Sequence, residues 1–541
     1  MKSVGVAALA GALFARSALA DVPPIVIKGQ KFFYSNNGTQ FYMRGVAYQP
    51  EYNADAASAS DDPNNRYIDP LADPETCKRD LEYLKELNTN TIRVYAVNPE
   101  MNHDECMTAL QDAGIYVVAD LSSPGRSIIS DDPSWDDSLY DRYTSVIDAL
   151  APYNNTLGFF AGNEVSHRAN NTDASAFVKA AVRDSKAYIA ERNYRAIGVG
   201  YATNDDAEIR EAMEDYFNCG SQEESVDFWG YNIYSWCGDS SFRESGYDEQ
   251  VEKFADYPVP VFFAEYGCNV VQPRKFTDIP VLYGDQMNDV FSGGIVYMFH
   301  QEANDYGLVT IDGDTVSTLV DFNNYKSQIA KATPTGVNSA DYEPTNTRQR
   351  DCPAVNTAWM ATASPLPPRP NTELCRCMYN SLSCVASSDV EPENYGDIFG
   401  QVCGMSEEAC AGIAANATTG TYGAYSMCNT TEQLGFVLNR YYELQDRADD
   451  ACAFDGQATL KDAVEPSGEC ASLMDQAGEA GTATVSSSSG GSGAAATGSS
   501  GASAGAASGM QAPGRVAFGA AAGVGAYVVT AVLAGAGMIL L

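Results

Sequence analysis

From residue 40 to about 332, short apolar runs alternate with stretches whose hydrophobic positions recur at helical spacing. Eight runs read as strands: "FYMRGVAY", "NTIRVYAV", "IYVVADL", "LGFFAGNE", "YRAIGVGYA", "VDFWGYNIY", "VPVFFAEYG" and "GGIVYMFHQE". Between them, Glu75–Leu87, Ala174–Arg192 and Asp205–Tyr216 carry the period of amphipathic helices. Eight strands separated by helices over this length predict an α/β fold, a (β/α)8 TIM barrel. A doubly wound open sheet is the alternative, but no Gly-rich phosphate turn follows an early strand.

The pattern changes after the barrel. "SPLPPRP" (Ser364 to Pro370) reads as a stiff linker, and a cysteine-dense module follows it. From Val485 to Gly509 the chain is nearly all Ser, Gly, Ala and Thr, too poor in apolar surface to fold, and reads as a stalk. Both ends read as targeting signals. Met1-Lys2 precede an apolar run, and "SALA" sets Ala18 and Ala20 at a cleavage site before Asp21. Val516 to Leu541 is uncharged and follows small residues and a polar spacer, the order of a GPI signal whose tail is removed. A type I transmembrane helix is the rival, but no Lys or Arg follows as a stop-transfer anchor. The expected parts are a signal peptide (1–20), catalytic domain (21–352), linker (353–373), cysteine-rich module (374–472), stalk with the lipid attachment region (473–515) and removed tail (516–541).

Composition narrows the chemistry. At 541 residues the chain is too long for one ordinary domain, and 33 basic against 71 acidic residues give a net charge of −38. That argues against nucleic acid or an anionic membrane face as partner, and is compatible with a neutral polysaccharide. The three histidines, His103, His167 and His300, have no metal-ligand spacing, so neither a metal nor another cofactor is expected. On a secretory route the 14 cysteines form an even disulfide set, with eight crowded between Cys375 and Cys470. The sequons at Asn37, Asn154, Asn170, Asn416 and Asn429 are candidate N-glycosylation sites in the same compartment.

Active sites of such barrels lie at the C-terminal ends of the strands. Polar residues at those ends are Arg93 and Tyr95, Asp120, Asn163 and Glu164, Tyr234, Glu265 and Tyr297. Two acids thus follow similar apolar runs, "FFAGNE" and "FFAE". A carboxylate pair across a barrel mouth suits retaining glycosidic chemistry, with Glu164 as acid/base and Glu265 as nucleophile. The bland alternative is that either acid merely pairs with Arg93, and that the aromatics are barrel packing. Trp229, ahead of its strand end, is read as packing.

"RGVAYQ", "NTIRVYAV", "ADLSSPGRSI", "FFAGNEV", "GYNIYSWCG", "FFAEYGC" and "QEANDYGLV", in that order, resemble glycoside hydrolase family 72, fungal β-1,3-glucanosyltransferases held by GPI at the plasma membrane and cell wall. The resemblance spans about residues 25–350 and implies Glu164 as acid/base and Glu265 as nucleophile. By the same resemblance Asn163 bonds the donor sugar's 2-hydroxyl, Tyr234 donates to Glu265 and Arg93 lies beneath it. Tyr95 and Asp120 then contact glucose, and Tyr297 and Tyr306 offer rings for sugars to lie on. Family precedent pairs Cys77 with Cys106, Cys219 with Cys352, and Cys237 with Cys268. The implied partners are β-1,3-glucan donor and acceptor chains, with the protein a monomer anchored through a GPI lipid. Transfer rather than hydrolysis rests on the resemblance alone. A plain endo-β-1,3-glucanase and an inactive wall-binding protein remain the alternatives. The chain departs from the family at Ser166-His167, where Thr and Asn are common, and at Ser130, where a basic residue is usual.

"LCRCMYNSLSCV", "CAFDG" and "QLGFVLNRYY" resemble the X8 domain, or carbohydrate-binding module family 43. That implies a small, disulfide-rich, mainly helical module that binds β-1,3-glucan or supports the barrel. Tyr379, Tyr422, Tyr425 and Tyr441 are open to either use, and the module's cysteine connectivity does not follow from spacing. A zinc site at "CRC" fits an oxidising compartment poorly.

Overall fold

A computed structural model describes residues 22–50, 67–448 and 450–485. The expected signal peptide, most of the stalk and the apolar tail lie outside the described residues. Eight strands close a parallel barrel: β1 (Met43–Ala47), β2 (Thr91–Val94), β3 (Tyr116–Asp120), β4 (Thr156–Asn163), β5 (Gly198–Thr203), β6 (Trp229–Ile233), β7 (Val261–Tyr266) and β8 (Phe291–Val296), with β8 bonded back to β1. The open-sheet alternative is thereby excluded.

The lumen is filled by aromatic rings. Phe160, Phe228 and Phe262 meet at 5.4–6.0 Å. From below, Phe32 contacts Phe228 and Phe262 at 6.2 and 6.1 Å, carried by an antiparallel sheet of Ile25–Lys28, Lys31–Tyr34 and Gln40–Phe41. Glycine makes room for these rings: a Cβ on Gly200 would lie 2.3 Å from the Phe228 ring. Truncating such a ring in a packed core costs about 3–5 kcal/mol. The lumen is therefore a solid floor, and polar side chains emerge only above it.

Local chemistry sets the helix bounds. Asp73 caps the helix Pro74–Glu86, accepting from the amides of Glu75 and Thr76 at 3.1 and 3.2 Å. The helix expected from Asp205 begins instead at Arg210 and runs to Phe217. The reason is Asp205, whose carboxylate accepts from Arg210 at 2.7 Å and from the Tyr231 hydroxyl, holding 205–209 out of the helix.

Seven disulfides take up all 14 cysteines. In the barrel region Cys77–Cys106 joins two neighbouring helices, Cys219–Cys352 secures the segment after the barrel, and Cys237–Cys268 ties the loops after β6 and β7. The module is stapled by Cys375–Cys428, Cys377–Cys470, Cys384–Cys452 and Cys403–Cys410. Both cysteines of "CRC" are thus in disulfides and hold no thiolate for a metal. The module's helices are Thr372–Ser381, Tyr395–Met405, Thr430–Leu444 and Glu469–Ala477, beside a two-stranded ribbon of Cys384–Ala386 and Ala458–Leu460.

The segment read as a stiff linker is packed on the barrel instead. Trp359 is fully buried, its indole donating to the Ala361 carbonyl at 2.9 Å. The Tyr216 hydroxyl donates to the Thr362 carbonyl at 2.9 Å, and Arg369 pairs with Glu191 at 2.6 Å. Apolar anchors such as Trp359 and Leu366 keep this stretch from behaving as a spacer. Of the module's tyrosines, Tyr422 meets Phe177 of the barrel edge-on at 6.2 Å, whereas Tyr425 lies against Phe436 inside the module at 4.7 Å. Tyr379 sits under Lys461, and Tyr441 against Phe454.

Where module meets barrel, acids face each other. Asp137, opening the helix Asp137–Leu150, lies against Glu432 in the first turn of Thr430–Leu444. Burial, then Asp136, pushes Asp137 up to about 6; burial, then Asp137, pushes Glu432 up to about 7. Asn429 caps the module helix, accepting from the Glu432 amide at 3.1 Å while its Nδ2 donates to the Glu432 carboxylate at 2.7 Å. A glycan on that nitrogen would enter the seam, whereas Asn37, Asn170 and Asn416 are exposed and Asn154 is half-buried. Both folded-state pKa values lie above ordinary carboxylate values, so the stabilisation is present near pH 4 and is lost as pH rises through 6 to 7. Glu432→Gln keeps the cap and removes the Glu432 titration, leaving that of Asp137. Thermal melts from pH 5 to 8 should show a shallower fall for this variant and a higher midpoint at the alkaline end. Parallel curves would mean the pair does not titrate as a unit.

Candidate active site

The polar residues that close the strands converge over the aromatic floor. Arg93, on β2 and fully buried, lies between the rings of Tyr95 and Phe160, 4.3 and 4.6 Å from their centroids. Its guanidinium grips Asp120 with two bonds of 3.1 Å and donates to Asn163 Oδ1 at 2.9 Å and to Glu265 Oε1 at 3.3 Å. Burial opposes the guanidinium's charge, but Asp120, Tyr95 and Glu265 more than offset it. Asp120 is 2% exposed, and burial holds its carboxyl above the usual range against the pull of Arg93. Each of its oxygens accepts from Arg93.

Glu265, on β7, accepts on both oxygens. The Tyr95 hydroxyl donates to Oε1 at 2.8 Å, and the Tyr234 hydroxyl to Oε2 at 2.8 Å. The resemblance implies a sugar contact for Tyr95; in the structure its hydroxyl holds this carboxylate. Burial pushes both phenols well above their usual range, with the charge of Glu265 adding to it, so both remain donors. Tyr297 and Tyr306 extend the aromatic surface: Tyr306 meets Tyr234 at 5.6 Å and Tyr297 at 5.3 Å, and Tyr297 meets Tyr95 at 6.4 Å.

Glu164 follows β4 directly in the left-handed region, at φ 50°, with its amide donating to the Ala202 carbonyl at 2.9 Å. The β4–β5 register shifts between Phe160 and Asn163, just before this turn. For a non-glycine residue such a conformation costs about 1–3 kcal/mol and persists only where its surroundings enforce it. Burial first, and the charge of Glu265 second, push the Glu164 carboxyl up to about 7; a bond from Asn232 and the charge of Arg93 pull the other way. The two acids therefore sense each other across the mouth. Asn163 Oδ1 takes both Arg93 Nη2 and, at 3.0 Å, Asn232 Nδ2. That fixes the amide, and its own Nδ2 is without a partner among the described residues.

Three residues here escaped the sequence reading. Asn232, on β6, stands two positions before Tyr234, which follows the strand, so the period of two within "GYNIY" was the available signal. Gln49 accepts from the amides of Tyr95 and Ala96 at 3.1 Å, and nothing local marks it. Arg274 donates to the carbonyls of Tyr297 and Tyr306 at 2.6 Å each while paired with Asp321 at 2.6 Å, bracing both rings from a distant loop. Trp229 packs against Tyr201 and Phe217 at 5.8 and 5.9 Å, away from the acids. Ser166 is buried, with its hydroxyl bonded to the Asn171 carbonyl and to Ser175, so this departure serves the turn. An exposed pair, Arg168 with Asp131, links the loops that carry His167 and Ser130.

Comparison with known proteins gives a consistent set. A family profile described as glucanosyltransferase (glycoside hydrolase 72) matches residues 14–333, and the X8 domain profile matches residues 382–459. A 1,3-beta-glucanosyltransferase of Arthroderma benhamiae is 56% identical over 99% of each chain. The 1,3-beta-glucanosyltransferase gas1 of Schizosaccharomyces pombe is 47% identical over 90% of this chain and 86% of its own. Among solved structures, a mutant Saccharomyces cerevisiae Gas2p in complex with laminaritetraose and laminaripentaose superposes with a TM-score of 0.74 at 42% identity, covering 82% of this chain and 96% of that one.

Proposed function

The chain belongs to the glycoside hydrolase family 72 glucanosyltransferases and carries an X8 domain behind its barrel, and from that footing we propose that Glu164 and Glu265 together carry out retaining transfer of β-1,3-glucan. The observation that carries the reading is the unequal treatment of the two acids. Glu265 receives donors on both oxygens from Tyr95, Tyr234 and Arg93, whereas Glu164 is pushed up to about 7. One is held as a nucleophile and the other is poised to give a proton.

The steps follow from that division. A Glu265 oxygen attacks the anomeric carbon, the glycosidic C–O bond breaks, and the proton of Glu164 passes to the departing oxygen. The fragment carrying the old reducing end leaves, and its partner remains as an ester on Glu265. A hydroxyl of a second chain, the 3-hydroxyl of its non-reducing end, then attacks the same carbon. Its proton goes to Glu164, the ester bond to Glu265 breaks, and the acceptor is longer. Asn163 offers its free Nδ2 to the donor sugar's 2-hydroxyl, and Tyr297 and Tyr306 offer ring faces. Asp120 acts through Arg93.

Laminari-oligosaccharides bound by the Gas2p relative support β-1,3-glucan as donor and acceptor here. The complete pairing of cysteines supports an oxidising, extracellular setting. Among the described residues no helix is long and apolar enough to cross a membrane, and the terminal signals support GPI attachment at the outer face of the plasma membrane. The test is product length. The secreted enzyme is incubated with a reduced-end β-1,3-gluco-oligosaccharide and the products are separated by chromatography. Products longer than the substrate are expected. Shorter products alone would make it a hydrolase, and an unchanged substrate would sink the enzymatic reading.

A further inference from the structure

The acid/base must act twice, first with its proton and then without it, and one neighbour is built for the change. Asn232 is 2% exposed on β6, and its Nδ2 donates to Glu164 Oε1 at 2.9 Å and to Asn163 Oδ1 at 3.0 Å. Both amide hydrogens are thus committed. Its own Oδ1 is buried without a hydrogen-bond partner among the described residues, a cost accepted for the sake of the two donated bonds. Because Arg93 also donates to Asn163 Oδ1, a continuous path runs from the nucleophile to the acid/base: Glu265, Arg93, Asn163, Asn232, Glu164.

We propose that Asn232 is a positioning residue that directs the proton of Glu164 to Oε2 and keeps the carboxylate available for the transfer half of the reaction. An oxygen that accepts an N–H is the poorer place for the proton, so a donor fixed on Oε1 leaves Oε2 to protonate and face the substrate. The charged groups acting on Glu164 are Glu265 on β7 and Arg93 on β2, with Asn232 supplying the hydrogen bond. In the free enzyme burial and the charge of Glu265 favour the acid form. Once Glu265 is esterified its charge is gone, while Arg93 and Asn232 remain. The balance then moves toward the carboxylate, the form that takes a proton from the incoming acceptor hydroxyl. The same side chain ties Asn163, the reader of the donor sugar, to the group that cleaves beside it.

The inference rests on Glu164 being the acid/base, and its test separates the two claims. Asn232→Ala removes the donor, and Asn232→Leu removes it while keeping the branched shape. The pH profile of kcat/KM is measured for both, with intact-protein mass during turnover. The alkaline limb should move up by about one pH unit, since a bond to the charged form is lost. At neutral pH kcat should fall tenfold or more, KM should fall with it, and glycosyl-enzyme should accumulate because Glu164 is less readily ionised for the second step. If activity falls while the limb stays in place and no intermediate builds up, Asn232 is only packing and the proposal fails. Parental kinetics in either variant would also overturn it. If instead Glu164→Gln retains turnover with the parental limb, the assignment of Glu164 itself is wrong.

Discussion

Glu265→Gln should lower transfer by at least about 10³-fold, on the order of 4 kcal/mol of barrier, while leaving the fold intact. Gln keeps the shape and an oxygen for the Tyr95 hydroxyl, and Arg93 retains Asp120, so no charge is left stranded in the barrel. On the proposed assignment, what disappears is the carboxylate that forms the ester, and no other acid among the described residues stands in its place. Glu164→Gln should be equally inactive on glucan, but with a different signature. The aryloxide of an electron-poor aryl laminari-oligosaccharide departs without a proton, so the first step should survive and covalent glycosyl-enzyme should build up in the absence of a base. Glu265→Gln should form no such adduct on either substrate. Rapid-quench release of the aryl group, intact mass and a thermal melt together make the comparison. Substantial glucan turnover by either variant would show that the pair is misassigned, and an adduct in Glu265→Gln would place the nucleophile elsewhere.

The barrel was legible because burial on both faces makes its strands near-continuous apolar runs, interrupted chiefly where a side chain reaches the mouth. Glu164 and Glu265 stand out for that reason: each ends a Phe-Phe-Ala run with a charge. A break in pattern marks a position, however, and does not reveal which way its side chain turns. The resemblance implies that Asp120 and Tyr95 contact the sugar, but nothing local in the sequence shows that one is bonded to Arg93 and the other to Glu265. Those partners lie 27 and 170 positions away, a relation set by barrel closure and invisible in any local window. Arg274 illustrates the same limit, since its reach to Tyr297 and Tyr306 depends on a loop path with no periodic signature. The segment from 353 to 373 failed in the opposite sense. Its prolines signal stiffness correctly, but stiffness does not say whether a chain stands away from a surface or lies on it, and Trp359 decides for the surface.

Removing the guanidinium should do the widest damage of any single substitution. Arg93→Met leaves Asp120 buried without its counter-charge, and breaking a buried pair from one side costs about 3–5 kcal/mol. Arg93→Lys should recover only part of this, because one ammonium cannot reproduce the two parallel bonds to Asp120 while also reaching Asn163 and Glu265. Burial already holds Asp120 above the usual carboxylate range with Arg93 present. Without Arg93 its folded-state pKa rises further above the unfolded value, so the loss of stability should deepen as pH rises and be mildest in acid. Melts of the parent and Arg93→Met at pH 5 and pH 8 check that sign; a larger deficit at pH 5 would contradict it. The decisive variant is the double one. Arg93→Met with Asp120→Asn removes the stranded charge and should return much of the lost stability. It should not return activity, because Glu265 and Asn163 stay without the group that aligns them. If the double variant regained both, Arg93 would be a structural counter-ion and nothing more. If it regained stability alone, the ion pair and the catalytic alignment are separate duties of one side chain.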